Sequence, residues 1–398
     1  MNINEFNHFL DAFGHKVSTE GKDKKIILPS DIKEISERTI KNIKCLKSII
    51  IPSGVTSIGD YTFSRCKSLT SVTIGDGVTS IGDDAFWGCK SLKSVTIPDS
   101  VTSIGKYAFY DCESLKNITL PNTIEEIAVK TFYNCKSLKE IIIPDSVKRI
   151  EASAFLNCQS LANIKMPNSI EEFGYNAFGS TGFLLDKSNF ENGYLYVGDN
   201  RVLLSVIPGF SDNCIIKDGT RLIADGAMYK SQINSVTIPD SVKVIGRDAF
   251  YNCTFLEDVK FGKGLRTIGV RAFADCESLK SITIPEGVTN IEPQAFEFCR
   301  NLKDVMIPGS LPEIKFGVFD FCESLENVTM SNGVKVIGDS AFSYCISLKK
   351  ITIPESVMYI DDHAFNLVPT IQAMTIIGKR GSYAEKYARK NNIKFKEE

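Results

Sequence analysis

The sequence repeats with a period of 23 residues over most of its length, and the clearest copy, LTSVTIGDGVTSIGDDAFWGCKS, runs from Leu69 to Ser91. Periods of this size are typical of stacked supersecondary units. Phenylalanine marks one fixed slot, at Phe63, Phe86, Phe109, Phe132, Phe155 and Phe178, then at Phe250, Phe273, Phe296, Phe319, Phe342 and Phe365. Cysteine marks a second slot, at Cys66, Cys89, Cys112, Cys135 and Cys158, then at Cys253, Cys276, Cys299, Cys322 and Cys345. Proline marks a third, at Pro29, Pro52, Pro98, Pro121, Pro144 and Pro167, then at Pro239, Pro285, Pro308 and Pro354.

The first part of each repeat has the pattern of a short strand. Leu69, Val72 and Ile74 follow L-x-x-V-x-I, so the end of the run alternates and one of its faces is buried. In the next repeat Pro98 ends this run, because proline lacks the N–H that would continue a ladder, and the following Asp-Ser pair favours a turn.

The second part is another apolar run, which begins at Val78 and Ile81 and reaches Cys89. Gly82 provides backbone freedom at a bend inside it. A unit of this size cannot bury its own apolar side chains, so each must stack over its equivalent in the neighbouring coil.

The consensus L-x-x-V-x-I-P-x-x-V-x-x-I-x-x-x-A-F-x-x-C-x-x resembles the 23-residue leucine-rich repeat of BspA-like, or treponemal, bacterial surface proteins. The resemblance covers nearly the whole chain. It implies a leucine-rich repeat solenoid, mostly β, which is right-handed and curved and carries a parallel β-sheet on its concave side. Function transfers less well than fold, because repeat families bind many different partners.

The repeats divide the chain into five segments, which we expect to form one elongated domain. Residues 1–23 form an N-terminal cap, in which Phe6, Phe9, Leu10 and Phe13 have the spacing of one helical face. Residues 24–182 are repeats, 183–210 an inserted β-hairpin around a Gly-Asp-Asn turn, and 211–370 further repeats that begin with a coil of 22 residues. Residues 371–398 form a C-terminal cap, in which Ser382 begins a short helix with an S-x-x-E capping box.

Composition narrows the classes of partner. The 398 residues carry 46 basic and 48 acidic side chains without a basic block, so we expect no nucleic-acid partner. The apolar runs are shorter than the roughly 18 residues of a membrane span. The N-terminal segment lacks the cationic start and continuous apolar core of a signal peptide, which conflicts with a surface location and leaves an intracellular one open.

The cysteine ladder predicts reduced thiols. Ladder side chains point in parallel, which leaves their Cβ atoms slightly too far apart for unstrained disulfides, so the thiols act as buried apolar fillers. Cys45 and Cys214 lie off the ladder and stay unassigned. Zinc is disfavoured because the chain has no C-x-x-C pair and only three histidines, His8, His15 and His363.

The solvent side of the strands is the first candidate for binding. Its column reads Ile50, Thr73, Thr96, Thr119, Ile142, Lys165, Thr237, Lys260, Thr283, Met306, Thr329 and Thr352. A basic flank accompanies it, at Lys47, Lys93, Lys116, Lys139, Lys280, Lys303 and Lys349. Threonine also favours strands and stacks on itself, so the column is explained either by sheet stability or by protein docking.

Two aromatic features are further candidates. Trp87, Tyr110 and Tyr133 occupy one slot in successive coils and form either half-buried packing or a strip that contacts carbohydrate or protein. Tyr194 and Tyr196 lie on the hairpin, and segments that interrupt a solenoid often lie at binding faces. No set of residues supplies a nucleophile with a histidine base, so we expect neither catalysis nor a cofactor.

The sequence thus supports a monomeric, non-catalytic protein-binding module. The resemblance implies a bacterial surface adhesin that docks a host or neighbouring-cell protein. The alternatives are an intracellular interaction scaffold, which reduced cysteines would suit, and carbohydrate binding through the aromatic strip.

Overall fold

A computed structural model describes residues 24–28, 32–38, 40–42, 46–199, 201–207, 209–368 and 374–398. The chain divides into two compact units, Met1–Asn189 and Phe190–Glu398. Both are built from coils that each contribute one strand to a strand face, a shorter strand to a second strand row, and a run of turns to a turn side. The predicted leucine-rich repeat solenoid, mostly β, is confirmed, whereas the predicted N-terminal helix, Cys45, His8 and His15 lie outside the described residues. That all the repeats form a single elongated domain stays a prediction.

The strand face consists of parallel strands paired in register from coil to coil. Val72 pairs with Val95, and Val95 pairs with Ile118. In the first unit the strands are Lys24–Ile27, Leu46–Ile51, Ser71–Ile74, Ser94–Thr96 and Asn117–Thr119 in one sheet, then Glu140–Ile142 and Asn163–Lys165 in another. In the second unit they are Asn213–Ile215, Ser235–Thr237 and Asp258–Lys260, then Ser281–Thr283, Asp304–Ile307, Asn327–Met330, Lys350–Thr352, Thr375–Gly378 and Lys394–Glu397.

The second strand row was not predicted. It is formed by the V-x-x-I part of the repeat, as two-residue strands that bury their second residue, which is isoleucine except at Phe173. In the first unit these are Glu34–Ile35, Ser57–Ile58, Ser80–Ile81 and Ser103–Ile104, then Glu126–Ile127, Arg149–Ile150 and Glu172–Phe173. In the second unit they are Leu222–Ile223, Val244–Ile245, Thr267–Ile268 and Asn290–Ile291, then Glu313–Ile314, Val336–Ile337 and Tyr359–Ile360.

The turn side alternates local and inter-coil hydrogen bonds. The N–H groups of Tyr61 and Phe63 donate to carbonyl oxygens of the next coil, at 2.8 and 2.7 Å. The N–H of Ser64, the residue after Phe63, instead donates within its own coil, to the carbonyl oxygen of Tyr61 at 3.0 Å, and so closes a turn. Residues whose backbone φ is positive, in the left-handed region, make this alternation possible. In the first unit they include Tyr61, Arg65, Asp84, Gly88, Tyr107, Asp111, Lys130, Asn134, Ser153, Asn157, Asn176 and Ser180. Buried backbone groups are thereby satisfied without a third sheet.

The phenylalanine and cysteine slots form two continuous ladders inside each unit. Phe63 and Phe86 stack with ring centroids 5.0 Å apart, and Phe109 and Phe132 stack at 5.5 Å. These side chains have no exposed surface. The described cysteines are free thiols, as predicted, and they are buried.

Gly82 has a different role from the one predicted. Its φ is not in the left-handed region, so backbone freedom is not what the position requires. An added Cβ would lie 2.7 Å from the amide nitrogen of Asp60 in the preceding coil. Glycine is therefore needed because the two backbones approach closely.

The repeats are interrupted where the first unit ends. Thr181 caps a short helix, Gly182–Leu185, and its Oγ1 accepts from the N–H of Leu184 at 3.3 Å. A 3-10 helix, Lys187–Asn189, follows. These helices occupy the beginning of the interval predicted as a hairpin.

The predicted hairpin itself is present in the second unit. Tyr194–Val197 pairs antiparallel with Val202–Val206. Its second strand then pairs in parallel with Leu222–Ile223, so the hairpin begins the second strand row of this unit. The following coil is one residue short, because Cys214 pairs with Val236, 22 residues later.

The C-terminal cap has the predicted helix and last strand. The helix spans Tyr383–Lys390, and Lys394–Glu397 extends the strand face beside Thr375–Gly378. The Ser382 hydroxyl accepts from the N–H of Glu385 at 3.4 Å. The Glu385 carboxylate accepts from the N–H of Gly381 at 2.7 Å, one residue earlier than in a standard capping box.

Candidate functional site

The strand face of the first unit is small, polar and exposed. Thr73, Thr96 and Thr119 point to solvent between buried neighbours, as the alternation predicted. Ile142 follows them in the same column, with 65% of its surface exposed. Lys93 and Lys116 are exposed at the edge where the strands begin.

A groove of about 770 Å³ opens on this face. It lies across the strands Asn117–Thr119, Glu140–Ile142 and Asn163–Lys165. The hydrogen-bonded sheet is interrupted between the first two of these strands, so the groove coincides with a break in the ladder. Its volume is within the range of roughly 300–1,000 Å³ that is typical of ligand sites.

Three residues of the predicted solvent column, Thr119, Ile142 and Lys165, lie in the groove. Phe183 and Asn189 line it from the helical segment that ends the first unit. The Asn189 side-chain amide donates to the Phe183 carbonyl at 2.9 Å, which ties the two residues together. The groove was not predicted from the sequence, because the helical segment had been assigned to the hairpin.

The aromatic strip lies on the turn side, away from the strand face. Tyr110 and Tyr133 stack with ring centroids 4.6 Å apart, and Trp87 meets Tyr110 at 6.4 Å in an edge contact. The Arg65 guanidinium carbon lies 4.3 Å from the Trp87 ring centroid, and Lys130 lies 5.9 Å from that of Tyr133. These half-buried rings therefore contact one another and neighbouring cations.

The hairpin tyrosines lie in the second unit. The Tyr196 hydroxyl accepts from the N–H of Lys217 at 3.0 Å, and burial raises its pKa. Tyr194 contacts the exposed ring of Phe210, with centroids 6.3 Å apart. Burial raises the pKa of the neighbouring Cys214 thiol to about 11, which keeps it protonated at neutral pH. The predicted site residues thus lie on the strand face and on the turn side of the first unit, and on the hairpin of the second unit.

Sequence reasoning missed a second aromatic strip, in the second unit. Phe298 and Phe321 stack at 4.5 Å, and Phe321 and Tyr344 at 4.0 Å. All three are half-buried and have left-handed backbones. Their spacing of 23 residues, two positions after the phenylalanine slot, was the available signal.

One group of described side chains has the chemistry of metal ligands. Asp339, Asp361 and His363 offer ligand atoms that lie within 4.8 Å of one another. The Asp361 carboxylate already accepts from the backbone N–H of His363 at 2.9 Å and from the Tyr359 hydroxyl at 3.0 Å. These bonds already engage Asp361 within its own turn, and we assign no metal to the cluster.

The comparisons with known proteins agree with this architecture. The family model described as the BspA type leucine-rich repeat region matches residues 16–101, 79–201, 221–334 and 313–397. The chain belongs to the BspA-type leucine-rich repeat family. The resemblance predicted from the repeat is thus confirmed. A search of curated proteins finds no match.

Solved structures similar to this BspA-type chain come from several bacteria. A leucine-rich repeat protein from Bacteroides ovatus is 30% identical, with a TM-score of 0.46, over 94% of this chain and 83% of the other. A leucine-rich cell surface protein from Faecalibacterium prausnitzii is 29% identical, with a TM-score of 0.40, over 80% and 95%. A leucine-rich repeat protein from T. pallidum is 26% identical, with a TM-score of 0.41, over 53% and 97%. Among the described residues, no helix has the length and apolarity needed to cross a membrane.

Proposed function

We propose that this BspA-type protein is a non-catalytic adhesin of the bacterial surface, which docks a host or neighbouring-cell protein. The observation that carries the proposal is the exposed strand face of the first unit with its groove of about 770 Å³. Broad, pre-formed strand surfaces suit protein partners, because repeat architectures use extended faces for binding.

The side chains on this face support docking. Ile142 is 65% exposed among polar residues of the strand face, so its burial by a partner would be favourable. The threonines around it lose little side-chain freedom on binding. The surface location is supported by the similar Faecalibacterium prausnitzii protein, which is described as a cell surface protein.

An adhesion assay tests the docking face. Beads coated with the wild-type protein should adhere to target cells, and protease treatment of those cells should abolish adhesion. Replacing Ile142 by glutamate should reduce adhesion at least about tenfold, since a buried unpaired charge at an interface centre is costly. The matched control is Met306→Glu, which changes an exposed strand-face residue of the second unit and should leave adhesion intact.

Protease shaving of intact source cells tests the location. Peptides of this chain released from unlysed cells support the adhesin, whereas peptides found only after lysis favour an intracellular scaffold. Equal adhesion of both variants, or adhesion that survives protease treatment of the target cells, would contradict protein docking by this face.

A further inference from the structure

Several exposed cations of this protein pair with a carboxylate of the adjacent coil. Lys280 Nζ lies 2.5 Å from Glu257 Oε2, and Lys349 Nζ lies 2.7 Å from Glu326 Oε2. These four residues occupy one slot, the last position before each strand of the strand face, in the second unit. In the second unit this slot holds both acidic and basic residues, so stacking of the coils brings opposite charges together.

In the first unit the charged residues in the same slot are all basic. Lys93, Lys116 and Lys139 occupy it in three successive coils, which we call the lysine column. All three are exposed, and none forms an ion pair with a carboxylate of the described part of the chain. Adjacent strands lie about 4.8 Å apart, so the three ammonium groups repel one another. Like charges stacked in this way are unfavourable at low salt, and an external anion would relieve the repulsion.

Two residues of the lysine column, Lys116 and Lys139, lie next to the groove. Asn117 and Glu140, which line the groove, directly follow Lys116 and Lys139 in the chain. Ala162, which holds the lysine slot in the next coil, lines the groove itself. An anion bound at the column can therefore extend into the groove.

The charges around the groove orient such a ligand. Lys165 adds a cation to the lining and Glu140 an anion. Asp99 and Asp145 are exposed at the opposite edge, in the turns after the strands. Acidic groups of a ligand are therefore drawn toward the lysine edge and away from the turn edge.

The side chains of this face favour a polypeptide over other polyanions. Its cations are lysines, whereas bidentate recognition of phosphate and sulfate groups favours arginine. No aromatic residue occupies the strand positions 71–74, 94–96, 117–119, 140–142 or 163–165, and Phe183 is the one aromatic side chain that lines the groove, so the face lacks the row of rings on which successive bases or sugars would stack. Ile142 is 65% exposed and offers an apolar contact, which an acidic protein segment with an apolar residue can use.

We propose that the lysine column and the adjacent groove bind an acidic, extended segment of a partner protein, with one apolar side chain of that segment packed on Ile142. This inference rests on the proposed function, because it names the chemistry of the partner that the strand face docks.

The test uses the full chain and a defined probe. The probe is a fluorescent 12-residue peptide of glutamate and serine with a central leucine, compared with versions that carry glutamine or lysine in place of glutamate. Binding is followed by fluorescence anisotropy. We expect the glutamate peptide to bind at least about tenfold more tightly than the glutamine peptide, and to weaken as salt is raised from about 0.05 to 0.5 M.

Three sets of variants isolate the column. Lys93→Glu, Lys116→Glu and Lys139→Glu together should weaken binding of the glutamate peptide at least about tenfold. The triple replacement by arginine retains the charge and should stay within about threefold of wild type. The matched control, Lys67→Glu, Lys106→Glu and Lys335→Glu, makes the same change in net charge at exposed lysines off the strand face and should also stay within about threefold.

Several results would overturn the inference. These are equal binding of the glutamate and glutamine peptides, equal losses in the two charge-reversed triples, or tight binding of heparin without binding of the glutamate peptide. If the column triple still adheres to target cells while Ile142→Glu does not, the docking face stands and the acidic partner is wrong. If neither variant loses adhesion, the proposed function fails as well.

Discussion

Each described ladder cysteine is held by a backbone carbonyl of the preceding coil. Cys112 Sγ donates to the Phe86 oxygen at 3.3 Å and Cys135 Sγ to the Phe109 oxygen at 3.3 Å. Burial raises the pKa of the Cys112 thiol, so it remains a neutral donor. The sequence predicted reduced, buried thiols from their parallel alignment. It could not predict the carbonyl partner, because that contact depends on the backbone of another coil.

Asp320 is a residue whose burial opposes folding at neutral pH. The pKa of its carboxyl is raised from 3.8 to about 6, chiefly by burial and to a smaller extent by the nearby Asp339, although hydrogen bonds from the Ser343 hydroxyl and the Phe321 N–H oppose the shift. Oδ1 is buried and has no hydrogen-bond partner. Because the folded pKa is above the unfolded one, the stabilisation by the neutral acid is present below about pH 4 and is lost as pH rises through 6.

We therefore predict that Asp320→Asn stabilises the protein at pH 7.5. After allowance for solvent screening, the free energy of unfolding should rise by about 1 to 2 kcal/mol, and the gain should vanish near pH 4. Urea unfolding at several pH values measures this. Asp76→Asn makes the same chemical change at an exposed turn and should have little effect at either pH. A constant gain across the pH range would contradict a role for the Asp320 charge.

At the scale of the coil, the sequence predicted an element correctly where that element was long enough for its apolar period to be recognised. The alternation of Leu69, Val72 and Ile74 predicted the strand face correctly. Ser80–Ile81 has two residues, too few for alternation to be read, so the second strand row was missed. The turn side was missed because Tyr61 and Arg65 adopt left-handed backbones without the glycine or asparagine that usually indicates them.

The packing between coils depends on the phenylalanine ladder, and a substitution at Phe132 tests how much the ladder contributes to stability. Its ring lies 5.5 Å from that of Phe109 and 5.2 Å from that of Phe155, with no exposed surface. Phe132→Ala should lower the free energy of unfolding by about 3 to 5 kcal/mol, because neighbouring coils cannot close the cavity. Denaturant midpoints measure the change. Tyr133→Ala, at a half-buried position of the same coil, should cost less; equal losses would show that position in the ladder is unimportant.

Across the whole molecule, the sequence predicted which residues of the candidate site share one repeat position, but it did not predict the groove that surrounds them. Thr119 and Ile142 were identified because one period places them on the solvent side of the strands. The groove around them depends on a break between two strands and on Phe183, which follows the repeats. Neither can be read from the repeat itself. The separation of Trp87 from the strand face likewise required the turn side to be known.

The charge pattern of the whole chain gives a final prediction, for Lys116→Glu. This change would place a carboxylate between Lys93 and Lys139, recreating the alternation of Glu257 and Lys280. If the lysine column is retained for binding, the variant should gain roughly 0.2–1 kcal/mol in unfolding free energy while losing affinity for the glutamate peptide.

Thermal unfolding at low salt measures the gain, and about 1 M NaCl should remove it, because salt screens exposed charges. Lys116→Gln is the control, since it relieves the repulsion without adding an attraction and should give a smaller gain. A loss of stability in both variants would mean that Lys116 stabilises the coil. The unpaired column would then be explained by packing of its methylene groups, which also cover apolar surface, rather than by a partner.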